Sequence, residues 1–577
     1  MQTACWLSFA LRGKPITEKI LRDMTRLSRE QHSAIVYDLD LPLMISAAPG
    51  SGKTSVIASR VSLIQEKYPK CPISCISFTN IASKELKGRT SKTGNLWCGT
   101  IHKQAMRIIA AADALCKRVG TANEVFKAFL IACKRQKLDI GDADDLPDDN
   151  TSTWEIAGSA TRIFNSFTRQ RETGSINDPV VSTLNTYFDE ELDKLGVCDI
   201  HTLLTSATSH LLNPTPELGK WLTDNIAFVL VDEAQDCSVP QWRFLHALTA
   251  GFRLSVVGDP NQQIFAFSGA AGFHEIFREF FPKGNACRLS FNFRSVPSIV
   301  DFACKIHAHS CVSQNLADEG FAKIQLFQPG QNSLSFVASE ICRMKKELKL
   351  KNSDFAVLAR LNAAAQRATY FLREAGLRCG AQSAKTEEFI ISVFKLVANP
   401  NDSHAFSVCM NIPCFGLTPK IQAALQSLHA DLSLLSLKKS ELAKIRKFQE
   451  TLISLTAKVK CMQPRYAVLH VIKSLSLSMT DQILDLLGEA AESPNLLDLV
   501  EARSGSITVG TIHSSKGTEK EAVFVIDCDA DVLPLEGCEL NGERNVMYVA
   551  VTRARRFLWL LGSARRPSIF LEELLHK

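Results

Sequence analysis

The segment AAPGSGKTS at 47–55 gathers the residue types that grip a chain of phosphates. Gly50 and Gly52 let backbone amides turn inward around phosphate oxygens, the Lys53 ammonium neutralises the β- and γ-phosphates, and the Thr54 hydroxyl can hold Mg²⁺. An apolar run, LMIS at 43–46, precedes this loop and a helical stretch follows it, which is the strand–loop–helix setting of a Walker A motif. Ala47, Ala48, Pro49, Gly50, Ser51, Gly52, Lys53, Thr54 and Ser55 are thus candidate ATP-binding residues, with Ala47 standing where the strict pattern has glycine. A second acidic set lies in VLVDEAQD at 229–236, where an apolar run ends in two carboxylates. Asp232 can hold Mg²⁺ directly or through water, and Glu233 can polarise the attacking water. One strand further on, Gln262 in VVGDPNQQIFAFSGA (256–270) offers a neutral amide that can sense a γ-phosphate.

These side chains need elements to place them. From 27 to about 110, apolar runs alternate with helical periods, and runs return at 226–231 (IAFVLV) and 253–258 (RLSVVG). A further alternating block covers 286 to about 380, and the chain closes with SITVGTIH (506–513), AVFVID (522–527) and FLWLLG (557–562). Strands alternating with helices predict an α/β fold with parallel sheets and crossover helices. Residues 111–198, with the acidic GDADDLPDDN at 141–150, and the Leu- and Ser-rich 381–500 read as mainly helical insertions.

Composition narrows the class. Hydrophobic residues are 46% and charged residues 22% of 577, which supplies several globular cores. A formal net charge of +6 suits a polyanionic partner without specifying one. The eighteen cysteines are scattered and form no CxxC pair, so neither zinc nor an iron–sulfur cluster is indicated and reduced thiols are expected. No apolar stretch approaches the roughly 18–20 residues of a membrane span. The apolar run at 5–11 is short for a signal peptide and has no basic residue before it, so a cytoplasmic location is expected, nucleoid-associated in a bacterium.

The motifs also fall in a recognisable order: LSREQ (27–31), AAPGSGKT, SFTNIASKEL (77–86), GTIH (99–102), VDEAQD, GDPNQQIFAFSGA, LSFNFRS (289–295), TIHSSKGTEK (511–520) and NVMYVAVTRAR (545–555). In this the chain resembles the UvrD/Rep-like helicases of superfamily one, as a compact member. The resemblance implies two RecA-like P-loop NTPase domains with parallel sheets, each carrying a mainly helical insertion. Residues 1–26 are then an N-terminal extension, 27–110 and 199–285 the first RecA-like domain, and 111–198 its accessory insertion. Residues 286–380 and 501–577 form the second RecA-like domain, and 381–500 its reduced insertion.

By resemblance Gln31 reads adenine, Phe293 stacks on it, and Glu519 contacts the ribose. Arg294 and Arg553 reach the γ-phosphate from the second domain, as arginine fingers supplied in cis. Phe78, Phe265 and Phe267 present aromatics to the bases of a single strand, while Thr79, Asn80, Thr100, His102 and His513 contact its backbone. Family members commonly have Trp-Arg where this chain has Phe267-Ser268. The implied activity is ATP-dependent 3′-to-5′ movement on single-stranded DNA, with unwinding at single/double-strand junctions, in repair, replication or recombination. The alternative is a nucleic-acid-activated translocase subunit working with a partner nuclease, for example in antiphage defence.

Overall fold

The computed structural model describes residues 27–77, 95–112, 118–138, 163–164, 166–168, 170–171, 178–250, 253–264, 272–307, 311–315, 319–381, 385–400, 402–410, 417, 439–475, 477, 481–504 and 506–576. Two units are present: Met1–Gly320 with Gly537–Thr552 and His576–Lys577, and Phe321–Glu536 with Arg553–Leu575.

The first unit is organised by a sheet of six parallel strands: β1 (Leu43–Ala47), β2 (Ile73–Ser77), β3 (Leu96–Gly99), β6 (Phe228–Asp232), β7 (Leu254–Gly258) and β8 (Asn285–Leu289). Between β3 and β6 lie two short strands, β4 (Arg118–Val119) and β5 (Val197–Cys198), which pair with each other. The sheet order is β3-β2-β6-β7-β1-β8, every pairing parallel. Its central strands are mostly apolar and buried at nearly every position because both faces are covered. Leu43, Ile45, Phe228 and Leu230 pack with Val56, Ile57 and Ile64 of the helix Lys53–Lys67 on one face. Met44, Val229, Val231 and Val256 meet Ile108, Trp242 and Phe273 on the other. The described helices of the first insertion close a separate core around Phe126, Phe129, Phe164, Phe167 and Phe188.

Two findings alter the expected boundaries. The strand at 285–289 pairs with β1 from Leu43↔Asn285 to Ala47↔Leu289, so it completes the first sheet rather than opening a second domain. It is followed by β9 (Phe291–Asn292), which pairs with β10 (Val312–Ser313), also in the first unit. The helix Leu540–Val551 joins this unit as well, since Arg544 Nη1 donates to the Ile306 carbonyl at 3.0 Å and Asn545 Nδ2 to that of Gln263 at 2.9 Å.

The second unit has its own six-stranded parallel sheet, built from β11 (Phe321–Phe327), β12 (Phe355–Ala359), β13 (Cys379–Ala381), β14 (Ile507–Thr511), β15 (Lys520–Val525) and β16 (Ala554–Ser563). The order is β11-β16-β15-β12-β14-β13. Phe355, Val357, Val509, Phe524 and Trp559 pack there against the helices Ser333–Leu348 and Asn362–Glu374. The described helices between 385 and 504 enclose a core of their own, with Phe389, Phe394, Phe448, Val468 and Leu486 at its centre. Among the described residues no helix is long and apolar enough to cross a membrane.

Candidate nucleotide site and strand track

Parallel strands place all their carboxyl ends on one edge, and that edge is where α/β sheets bind ligands. In the first unit the four neighbouring strands β6, β7, β1 and β8 each deliver a motif there: Asp232 and Glu233, Gln262, the 48–52 loop, and the segment 291–295. The sequence separates these groups by up to about two hundred and fifty residues, and the sheet order makes them neighbours.

The glycine loop adopts a shape that few other residues allow. Gly50 and Gly52 have φ of 70° and 80°, in the left-handed region. Ser51 closes the turn, its N–H and Oγ both donating to the Ala48 carbonyl at 3.2 and 2.7 Å. Gly52 caps the helix Lys53–Lys67, whose first-turn N–H groups and dipole favour phosphate. Lys53 Nζ reaches back to the Ala47 carbonyl at 3.4 Å, while Thr54 is half-buried and Ser55 exposed in the first turn.

Two neighbours hold the loop. Gln31 is buried, forms a capping box with Ser28 on the helix Arg29–Val36, and donates Nε2 to the Ser51 carbonyl at 2.9 Å. Asn292 is buried too and also holds the loop. Its Nδ2 donates to the Pro49 carbonyl at 2.8 Å, and its Oδ1 accepts the N–H groups of Arg294 and Ser295, both at 2.8 Å. The Phe293 N–H adds a bond to the Gly50 carbonyl at 2.9 Å. Phe293 keeps 45% of its surface exposed, available to stack. Arg294 therefore sits beside the phosphate loop in the first unit, not on a second domain as expected, because β8 completes the first sheet and β9 lies in the same unit.

At the end of β6, Asp232 is buried and its Oδ1 accepts the Glu233 N–H at 3.0 Å. Glu233 itself takes a left-handed backbone, φ 55°. Gln262 is buried and donates Nε2 to Asp259 Oδ2 at 2.7 Å. A strand-end carboxylate and a helix-start hydroxyl make a sparse donor set, suited to Mg²⁺ held mostly by phosphates and water. Among the described residues no group of three or more His, Cys, Asp or Glu could hold a metal ion.

In the second unit, His513 lies in the turn after β14, and Glu519 precedes β15 with Arg555 Nε 4.0 Å away. Arg553 is buried and donates Nη1 to the Thr518 carbonyl at 3.0 Å. Of the strand-track residues, Thr100 caps the helix Ile101–Ala111, accepting the Lys103 N–H at 3.4 Å. His102 lies in the first turn of that helix, and burial lowers its pKa, favouring the neutral ring. Phe78, Thr79, Asn80, Phe265, Phe267 and Ser268 lie outside the described residues.

Sequence reasoning missed three supporting residues. Asn292 stood within a quoted motif but carried no chemistry of its own. Gln235, inside DEAQD, likewise bears no charge. Arg60 lies outside every quoted motif, yet it is buried and donates to the carbonyls of Ala34, Ile35, Tyr37 and Asp38 and to Ser255 Oγ. It thereby ties the Walker helix to the C-terminal end of the helix carrying Gln31, and burial lowers its pKa to about 10.

A phosphate loop and strand-end acids at the edge of one parallel sheet, with a second parallel sheet further along the chain, define a P-loop NTPase of the two-sheet motor type. Residues 27–280 match the UvrD/REP helicase N-terminal domain, and residues 287–476 and 438–564 match the UvrD-like helicase C-terminal domain. The ATP-dependent DNA helicase PcrA of Staphylococcus epidermidis is 24% identical over 630 residues, covering 94% of this chain and 86% of that protein. PcrA of Bacillus subtilis is 25% identical over 641 residues, covering 96% and 84%. The chain belongs to the UvrD/Rep helicase family and is by class an ATP-hydrolysing DNA helicase.

Proposed function

We propose that this helicase couples ATP hydrolysis to 3′-to-5′ movement along single-stranded DNA and acts at single/double-strand junctions in repair, replication or recombination. The observation carrying this reading is the convergence of the phosphate loop, Asp232, Glu233, Gln262 and Arg294 on one sheet edge.

In this reading Lys53 and the loop amides bind the β- and γ-phosphates of ATP, and Gln31 and Phe293 hold the adenine. An amide has two hydrogens and two acceptor positions. Gln31 spends one of each on Ser51 and Ser28, and the remaining pair matches the adenine edge. Glu519 contacts the ribose. Glu233 takes a proton from the attacking water, Gln262 senses the γ-phosphate, and Arg294 and Arg553 offset the charge that develops there. Thr54 and Asp232 would hold Mg²⁺, which when bound neutralises the phosphate oxygens. Along the strand, Phe78, Phe265 and Phe267 stack on bases, while Thr79, Asn80, Thr100, His102 and His513 contact the backbone without reading sequence. The relatives that match along most of their length are named DNA helicases, which supports DNA as the track. The nuclease-partner alternative has no observation in its favour.

The test is ATP hydrolysis with single-stranded DNA, single-stranded RNA or duplex, followed by displacement of streptavidin from either strand end. Stimulation by single-stranded DNA and clearance of streptavidin only from the 5′ end are expected. Clearance only at the 3′ end overturns the direction, and equal hydrolysis with and without any strand overturns the coupling.

A further inference from the structure

Gln235 is fully buried between the ends of β6 and β7, and each end of its amide is engaged. Its Nε2 donates to Glu233 Oε2 at 2.6 Å and lies 3.4 Å from Asp236 Oδ2. Its Oε1 accepts the Asp259 N–H at 3.0 Å. Asp259 in turn accepts from Gln262 Nε2 at 2.7 Å and from the Asn261 N–H at 3.1 Å. A bonded chain Glu233–Gln235–Asp259–Gln262 thus crosses between neighbouring strands, joining the base of the proposed mechanism to its γ-phosphate sensor.

The packing reserves this place for the amide. A Cβ on Gly258 would lie 2.6 Å from Gln235 Oε1 and 3.0 Å from the Gln235 nitrogen, so β7 ends in glycine where Gln235 approaches. Glu233 has a left-handed backbone, an uncommon conformation for a non-glycine residue, which its surroundings must hold. Gln235 supplies a buried, uncharged donor aimed at the carboxylate. Such a donor fixes the direction of the Glu233 oxygens without competing for the proton.

We infer that Gln235 is a positioning residue for hydrolysis: it sets the Glu233 carboxylate in register with Gln262, so that water activation and phosphate sensing share one geometry. This rests on the reading of Glu233 as the base. ATP binding should be nearly indifferent to Gln235, because none of its bonds goes to the 48–52 loop.

Gln235→Glu keeps an oxygen for the Asp259 N–H but replaces the donor facing Glu233 with an acceptor. Gln235→Met removes both ends at similar volume. In each, kcat for strand-stimulated ATP hydrolysis should fall roughly 100-fold, the low end for loss of effective general-base catalysis. KM for ATP and affinity for a fluorescent ATP analogue should stay within about threefold of wild type. Combined with Glu233→Gln, Gln235→Met should slow turnover no further, since it acts only through Glu233. Near-wild-type kcat in Gln235→Glu alongside an inactive Glu233→Gln overturns this inference alone. An additive loss in the double variant also overturns it, by showing a purely structural role. Full turnover in Glu233→Gln overturns the base assignment and this inference together.

Discussion

Asn292→Asp separates the two jobs of the clasp on the phosphate loop. The substitution keeps Oδ1 as acceptor for the Arg294 and Ser295 N–H groups, so the turn that carries them retains both 2.8 Å bonds. It removes the donor that meets the Pro49 carbonyl at 2.8 Å and sets a carboxylate oxygen against that carbonyl instead. Losing the bond costs about 1 kcal/mol, and an unsatisfied buried acceptor adds about 1–2 kcal/mol more. The loop escapes this cost by withdrawing and hydrating Pro49, so the penalty appears when ATP requires the loop back. About 2–3 kcal/mol corresponds to roughly 30- to 150-fold weaker ATP binding. Titration of a fluorescent ATP analogue, with a thermal melt run in parallel, reads both quantities. The expected result is that loss of affinity with a melting temperature within a few degrees of wild type. Nucleotide affinity within twofold of wild type would refute the idea that Asn292 shapes the loop.

Gly50→Ala forces an L side chain to φ 70° and puts its Cβ 2.6 Å from Arg294 Cβ. The backbone term alone is about 1–2 kcal/mol, so the same titration should show at least roughly fivefold weaker binding. Arg60→Met strips the donors from four backbone carbonyls, and about 3 kcal/mol or more of stability should go with them. That lowers the melting temperature by at least about 5 °C, and Arg60→Lys should recover only part because an ammonium cannot match the planar fork. The folded-state pKa of His102 is lowered by burial, so the unfolded chain takes up its proton first. Stability from the neutral ring is present above the unfolded pKa of about 6.5 and is lost as pH falls below it. Melts across that range should show the loss, and a smaller one in His102→Gln; an equal slope in both would contradict the assignment.

What the sequence determined by itself was local and periodic. Continuous apolar runs such as LMIS at 43–46 and VLV at 229–231 marked strands buried on two faces, and β1 and β6 lie where those runs do. Glycines before a lysine, and acids after such a run, announced phosphate chemistry because few other residue types permit that backbone or carry that charge. Tertiary structure decided what has no local signature. The strand NACRL at 285–289 is largely exposed at its start, so no apolar run betrayed it, and only pairing with β1 assigns it to the first sheet. That pairing brings Asn292 and Arg294 to the phosphate loop. The helix Leu540–Val551 is joined to the first unit by Arg544 and Asn545, polar contacts that periodicity cannot reveal. Gln235, Asn292 and Arg60 likewise act through backbone carbonyls, amides and carboxylates that become neighbours only after folding. A hydrogen-bond donor has no meaning until its acceptor is in place, so the reactive groups could be read from the chain and their positioning could not.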